Sequence, residues 1–352
     1  MINYCKKKII NILLRSQSDK PIKIRNKINN NNSKTKFVIN KFGEKNKNKI
    51  FYVIRVDHKG GAGLFSNVLY VLNHLKISEK HGFIPIVDME NFPTRYNENE
   101  RILSTKNSWE YYFEPISKFK LKDVYSSKNV ISTTGSSNDE MSKNYKNDKN
   151  LKLLFHKYIK IKDMYLDNAK KFTDKNFKRN KVLGVHFRGT DMKKYPNHPL
   201  PPTVRQITNL IDSAIAKYKF NKIFLVTEEI KYLRFLQNRY GEMICFRNSF
   251  RSSKLKVFDL KVRKFHRYLM GVDALEDTIL MSKLDFLICS RSNMSEVASL
   301  MLRKKTNVME IKNGFNPNKI LISQFNWYIK QLLPKVFGGF EKKINLKFRF
   351  NK

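Results

Sequence analysis

Cysteine is scarce in this chain of 352 residues: Cys5, Cys245 and Cys289 are the only three, and no two stand at the spacing a zinc site or redox pair needs. A disulfide framework is therefore not expected. Long apolar runs are also lacking. The nearest is Met1 to Arg15, where the basic cluster Lys6 to Lys8 precedes Ile9, Ile10, Ile12, Leu13 and Leu14, a stretch too short to span a bilayer. No small-residue cleavage site follows it, which argues against a secretory signal. The expectation is a cytoplasmic protein, with peripheral membrane contact through that basic, apolar arm as a second option.

Acidic residues are few. Only 30 Asp and Glu face 70 Lys and Arg, for a formal net charge of +40. Such an excess ordinarily points to nucleic acid. Here the basic residues run the whole length alongside abundant Asn and Ile, a mixture that compositional drift in an AT-rich genome also produces, so nucleic acid is not the favoured partner. The anionic partners that remain are a nucleotide diphosphate, an acidic glycan and an anionic membrane surface.

What is present is ample for folding: 41% hydrophobic and 12% aromatic residues lie inside the globular range, and the length suits two domains. The pattern divides into a basic, Asn-rich leader (1–49), a first α/β domain (50–177), a second α/β domain (178–315) and a C-terminal helix with a basic tail (316–352). In the first domain, Phe51 to Val56 reads as a buried strand, Gly60-Gly61-Ala62-Gly63 as a turn, Leu64 to Leu75 as a helix and Phe83 to Asp88 as a second strand. Leu151 to Phe177 has a helical pattern. From Lys181 strands and helices alternate to Ile311, which predicts a second parallel sheet. Ligands of open parallel sheets sit beyond the carboxyl ends of the strands, so the loops that follow strands, facing a central cleft between two such domains, are the ones to interrogate.

Three of those loops carry polar chemistry. Gly60 to Gly63 sits where bare amides and a helix start attract anions, or is a purely structural tight turn. His186-Phe187-Arg188-Gly189-Thr190-Asp191 ends an apolar strand: Arg188 offers a planar fork to phosphate oxygens, the alternative being a structural pair with Asp191, and His186 stands beside it or is a satisfied core histidine. Asp277 precedes a strand that runs into Ser290-Arg291-Ser292-Asn293-Met294-Ser295, where free amides and hydroxyls at a helix start suit a second phosphate contact, or Ser292 or Asn293 is only a cap.

In this order, Gly184 to Asp191, Asp277 and Ser290 to Ser295 resemble the GDP-fucose transferase superfamily, which includes the core α1,6-fucosyltransferases, the nodulation-factor fucosyltransferases and the protein O-fucosyltransferases. Gly60 to Asn67 and Pro85 to Asp88 resemble the start of such enzymes, so the resemblance covers most of residues 51–312. It implies a GT-B fold and an inverting, metal-independent transfer of fucose or a related sugar from a GDP-sugar donor to a glycan or glycolipid hydroxyl, with no cofactor. By position it implies that Arg188 binds the β-phosphate, that Asp277 accepts from the guanine edge with His186 nearby, and that Gly61, Gly63, Asn67, Asp191, Ser292, Asn293 and Ser295 line the substrate sites. The core enzymes carry a Glu shortly after this motif as a general base; here the chain reads Met192 to His198, and His198 is the candidate substitute. The competing reading is a catalytically inactive protein of the same fold that binds anionic glycan or nucleic acid.

Overall fold

The computed structural model describes residues 38–56, 62–133, 149–252, 257–302 and 306–350. The basic arm at Met1 to Arg15 and Gly60 and Gly61 of the glycine turn lie outside them. The chain divides into two compact units, Met1–Lys162 and Asp163–Lys352.

The first unit is built on a four-stranded sheet in the order β1-β4-β2-β3, with β1 Ile39–Asn40, β2 Phe51–Ile54, β3 Ile84–Val87 and β4 Val130–Ser132. Strand β2 lies parallel to both β3 and β4, and every residue of it is buried, which is what an unbroken β-branched and aromatic run requires in a parallel sheet covered on both faces. Helix α1, Leu64–His81, starts after Gly63 and buries Phe65, Val68, Leu72 and Leu75. It stops at Gly82, whose φ of 67° is left-handed and whose N–H closes onto the carbonyls of Ser78 and Glu79, a conformation that costs glycine nothing. A one-turn helix, α2 (Leu121–Val124), leads into β4. Beyond β3, Asn107 donates to the Val87 carbonyl (2.8 Å) and roots the buried cluster Trp109, Tyr111, Tyr112 and Phe113. The sheet begins ten residues before the expected end of the leader: Ile39 and Asn40 pair antiparallel with Ile131 and Val130, edge pairing too short to leave an alternating pattern.

The single helix expected over Leu151 to Phe177 is two, α3 Lys149–Tyr158 and α4 Asp163–Asn176. Between them the backbone turns extended to pair with the aromatic cluster, Glu114 N–H donating to Lys160 (2.8 Å) and Lys162 N–H to Tyr112 (3.1 Å). Helix α4 belongs to the second unit, because Tyr165 and Tyr268 share a hydroxyl hydrogen bond of 2.9 Å and Asn168 donates to Glu276 (2.8 Å). The division after Lys162 thus replaces the boundary expected at 177.

The second unit carries a six-stranded sheet in the order β10-β9-β8-β5-β6-β7. Its strands are β5 Val182–His186, β6 Lys222–Val226, β7 Ile244–Cys245, β8 Phe286–Ser290, β9 Asn307–Ile311 and β10 Arg349–Phe350, all parallel to their neighbours except β10, which pairs antiparallel with β9. Helices α5 Val204–Tyr218, α6 Ile230–Tyr240, α7 His266–Met281 and α8 Asn293–Met301 connect them, and α9, Ile320–Leu332, follows. The core gathers Leu183, Val185 and Phe187 with Ile207, Leu210, Leu225 and Ile288. Helix α5 opens on a reciprocal cap, Thr203 Oγ1 accepting from Gln206 N–H (3.2 Å) while Gln206 Oε1 accepts from Thr203 N–H (2.9 Å). The basic tail is structural: Ile344, Leu346 and Phe348 pack against the core before β10 adds the edge strand.

Candidate functional site

Strand order locates the site. From β5 the chain lays β6 and β7 on one side, then crosses to lay β8 and β9 on the other, so the order reverses between β5 and β8. In open parallel sheets this reversal opens a crevice at the carboxyl ends, where ligands bind. Both polar segments singled out in the sequence meet there, since His186 pairs with Cys289 and the next residues on each strand are Phe187 and Ser290. Three buried polar atoms in these segments have no hydrogen-bond partner among the described residues: His186 Nδ1, Thr190 Oγ1 and Ser290 Oγ. Buried polar groups are nearly always paired, so such a group at a switch point marks a place for a ligand.

His186 is 1% exposed. Burial, with the Arg188 charge adding to it, pushes its imidazole down to about 3, so the ring is neutral at any physiological pH. Arg188 is half-buried, with its Nε 3.8 Å from Glu228 Oε1. The loop that carries it is fixed from below. Gly189 N–H donates to Glu228 (2.8 Å), Thr190 N–H to Glu229 (3.1 Å), and the Lys193 ammonium to the same Glu229 carboxylate (3.3 Å). Phe187 stacks flat on Tyr232 at 3.8 Å, and Lys193 lies over the rings of both Tyr232 (4.7 Å) and Trp327 (4.8 Å). A Cβ at position 189 would stand 2.2 Å from Glu229 Oε2 and 2.7 Å from Tyr232, so any larger residue must displace the carboxylate and the ring that hold the loop. Asp191 lies on the 3-10 turn Thr190–Lys193 that closes the loop. The Glu228-Glu229 pair was missed in the sequence, although two carboxylates immediately after an apolar strand were a signal open to view.

Asp277 lies on α7 in a buried ionic cluster. Arg247 reaches it at 3.3 Å, donates to the Asp273 carbonyl (3.1 Å) and pairs with Glu276, while Arg263 holds the Asp273 carboxylate at 2.6 Å. Burial raises Asp277 to about 6 against the opposing charges of Arg247 and Arg251. This cluster adjoins the Arg188 loop, because Ser252 N–H donates to the Glu228 carbonyl (2.9 Å). The sequence pattern sets the start of α7 near Val272; it starts at His266, whose ring bonds the Val257 carbonyl (2.9 Å), and Asp273 and Asp277, one helical turn apart, both face the arginines.

At the start of α8 the hydroxyls cap. Ser292 Oγ accepts from Ser295 N–H (3.1 Å), and Ser295 Oγ donates to the carbonyls of Ser290 (3.1 Å) and Ser292 (2.9 Å). The capping alternative therefore describes Ser292, with Ser295 completing the box from the third helical position, while the Asn293 side chain is exposed at the first turn. His198 is exposed; its Nδ1 lies 3.0 Å from the Pro196 carbonyl, an oxygen that only accepts, so in the neutral ring Nδ1 carries the proton and leaves the lone pair on Nε2. In the first unit, Gly63 is the cap residue of α1, its carbonyl accepting from Ser66 (3.0 Å) and Asn67 (3.2 Å). Asn67 is buried and its Oδ1 has no partner among the described residues. Among the described residues no three His, Cys, Asp or Glu side chains gather as metal ligands.

No protein-family model matches the chain, and no curated protein sequence matches it. Solved structures do. NodZ α-1,6-fucosyltransferase co-crystallised with GDP is 14% identical, with 77% of this chain and 97% of that chain aligned at a TM-score of 0.50. The same enzyme soaked with GDP-fucose is 15% identical over 75% of this chain and 95% of that one, also at 0.50. Fucosyltransferase NodZ from Bradyrhizobium in selenomethionine form gives the same identity, coverage and score. At this identity the likeness is one of fold, and the chain has the fold met in GDP-fucose transferases, GT-B, with an α/β unit on a parallel sheet in each half.

Proposed function

We propose that the chain is a glycosyltransferase that moves fucose or a related sugar from a GDP-sugar to a hydroxyl of a glycan or glycoconjugate, with inversion and without a metal. The observation that carries this reading is Arg188, presented on a rigid loop at the switch point beside unpartnered buried polar atoms, in a fold whose solved examples hold GDP and GDP-fucose. In the reaction the acceptor oxygen bonds to the anomeric carbon as the bond from that carbon to the β-phosphate oxygen breaks. Negative charge grows on the departing GDP, where the Arg188 fork and the amides at the α8 start can stabilise it. The acceptor's proton must leave, and His198 Nε2 has the lone pair to take it. Asp191 is a further substrate contact on the second unit in this reading, and Gly61, Gly63 and Asn67 are substrate contacts on the first.

Asp277 is the guanine reader in this proposal. A carboxylate accepts from the adjacent N1 and N2 donors of guanine, which uracil does not offer in that arrangement. Only the ionised form accepts both. With the carboxyl raised to about 6, GDP affinity is expected to fall as the pH drops through that value. Binding measured by calorimetry in Asp277→Asn should lose this pH dependence together with about 10-fold or more of the preference for GDP over UDP, the worth of a hydrogen bond to a charged group. A variant that keeps both assigns Asp277 to the ionic cluster alone.

The decisive experiment is a screen of GDP-, UDP-, ADP- and CMP-sugars for donor hydrolysis, reading which nucleotide is released. GDP release is expected. Release of another nucleotide alone overturns the donor assignment, and no release together with steeply salt-dependent binding of polyanions favours the inactive binder.

A further inference from the structure

Helix α9 presents its apolar side outward. Its inner face is fixed to the second unit by Ser323 and Trp327, both buried, with Ser323 Oγ donating to the Lys194 carbonyl (2.8 Å) and Trp327 Nε1 to the Pro201 carbonyl (2.8 Å). The opposite face carries Leu321, Ile322, Phe325, Tyr328, Ile329 and Leu332, between 42% and 79% exposed. At 100° per residue these six fall in a stripe about 120° wide, the width of a core-facing stripe on an ordinary amphipathic helix. Val336 and Phe337 extend it past the helix end, 84% and 72% exposed. Because Trp327 and Ser323 are bonded inward, the helix cannot rotate to bury the stripe, and an apolar patch of this kind marks an interaction surface.

Charge selects the partner. From Lys312 to Phe340 the chain contains Lys312, Lys319, Lys330 and Lys335 and no Asp or Glu; Lys335 bridges to the exposed Glu341 (3.0 Å) and Lys330 donates to the Gly338 carbonyl (2.7 Å), contacts that headgroup phosphates can compete with at the surface. A second copy would carry the same formal charge of +40, and such self-repulsion opposes association. An anionic lipid surface offers both an acyl boundary for the stripe and negative headgroups for the lysines, the combination that holds helices in the plane of a membrane. No helix among the described residues is long and apolar enough to cross one. We propose that α9 and the turn at Lys335–Phe337 dock the protein onto an anionic membrane surface. The docking helix packs on the turn that closes the Arg188 loop, since Lys193 contacts Trp327, and it therefore brings the candidate site next to that surface. The proposal does not depend on which reaction the site performs.

The test is flotation of the full chain with phosphatidylcholine vesicles, with and without phosphatidylserine. The chain is expected to float with the phosphatidylserine vesicles and to remain behind with phosphatidylcholine alone. The triple variant Leu321→Gln, Phe325→Gln, Ile329→Gln alters only exposed side chains and should melt as the parent does, yet lose about 100-fold or more in partitioning. Should it fail to fold, the single variant Ile329→Lys gives the same comparison. Equal flotation of parent and variant overturns the proposal, because diffuse charge would then suffice. Failure of the parent to float overturns it too, as does a concentration-dependent dimer that the triple variant abolishes.

Discussion

Arg188→Ala is expected to lower turnover of a GDP-sugar by about 10²- to 10³-fold, the loss seen when one preorganised donor to developing charge is removed. The side chain is half-buried, and its backbone is held by neighbours that do not need the guanidinium: Phe187 on Tyr232, Gly189 on Glu228 and Thr190 on Glu229. The variant should therefore melt close to the parent, and the loss should fall on kcat more than on KM, because the charge to be stabilised is greater in the transition state than in the bound donor. Arg188→Lys should recover only part of it, since an ammonium cannot fork across two phosphate oxygens. Release of GDP across a titration of donor measures kcat and KM for both variants. Full activity in Arg188→Ala would remove this residue from the site and with it the main support for the proposed reaction.

Much of the second unit was legible in the sequence, because its strands are continuous apolar runs buried in a parallel sheet and its helices carry plain 3.6-residue periodicity. Helix α6 and strand β9 fall where the pattern set them, at Ile230–Tyr240 and Asn307–Ile311. What escaped was structure held by few residues or by partners far along the chain. Strands β1 and β10 are two residues long and owe their extended form to a neighbouring strand rather than to their own pattern. The break between α3 and α4 exists because the backbone near Lys160 pairs with Tyr112 and Glu114, which no local periodicity encodes. At the site, the sequence supplied Arg188 and His186 as chemistry but not their setting. That His186 is sealed and neutral and that Glu228 and Glu229 hold the Arg188 loop depend on strand order, which brings separate segments to one crevice, whereas the Ser292–Ser295 cap is local and was open to the sequence.

The largest expected effect on stability comes from beneath that loop. Glu229 accepts from both the Thr190 amide and the Lys193 ammonium, and the Lys193 and Glu229 side chains are 10% and 11% exposed. Glu229→Ala would leave a buried ammonium with only the faces of Tyr232 and Trp327, and breaking such a pair from one side costs about 3–5 kcal/mol. For a unit of this size that is a fall in Tm of roughly 10 °C. Removing both charges is a different perturbation. In Lys193→Met with Glu229→Gln, the methionine can fill the space between the two rings and the glutamine oxygen can still accept from the Thr190 amide, so most of the loss should be recovered, because replacing a buried pair whole is often close to neutral. Thermal melts of the parent, Glu229→Ala and the double variant decide it, with the double variant expected nearer the parent than the single. The double variant should also keep the Arg188 loop in place and hence retain turnover that Glu229→Ala loses. A double variant no more stable than the single would mean that the paired charges themselves hold the loop, and that the Thr190 contact without them does not.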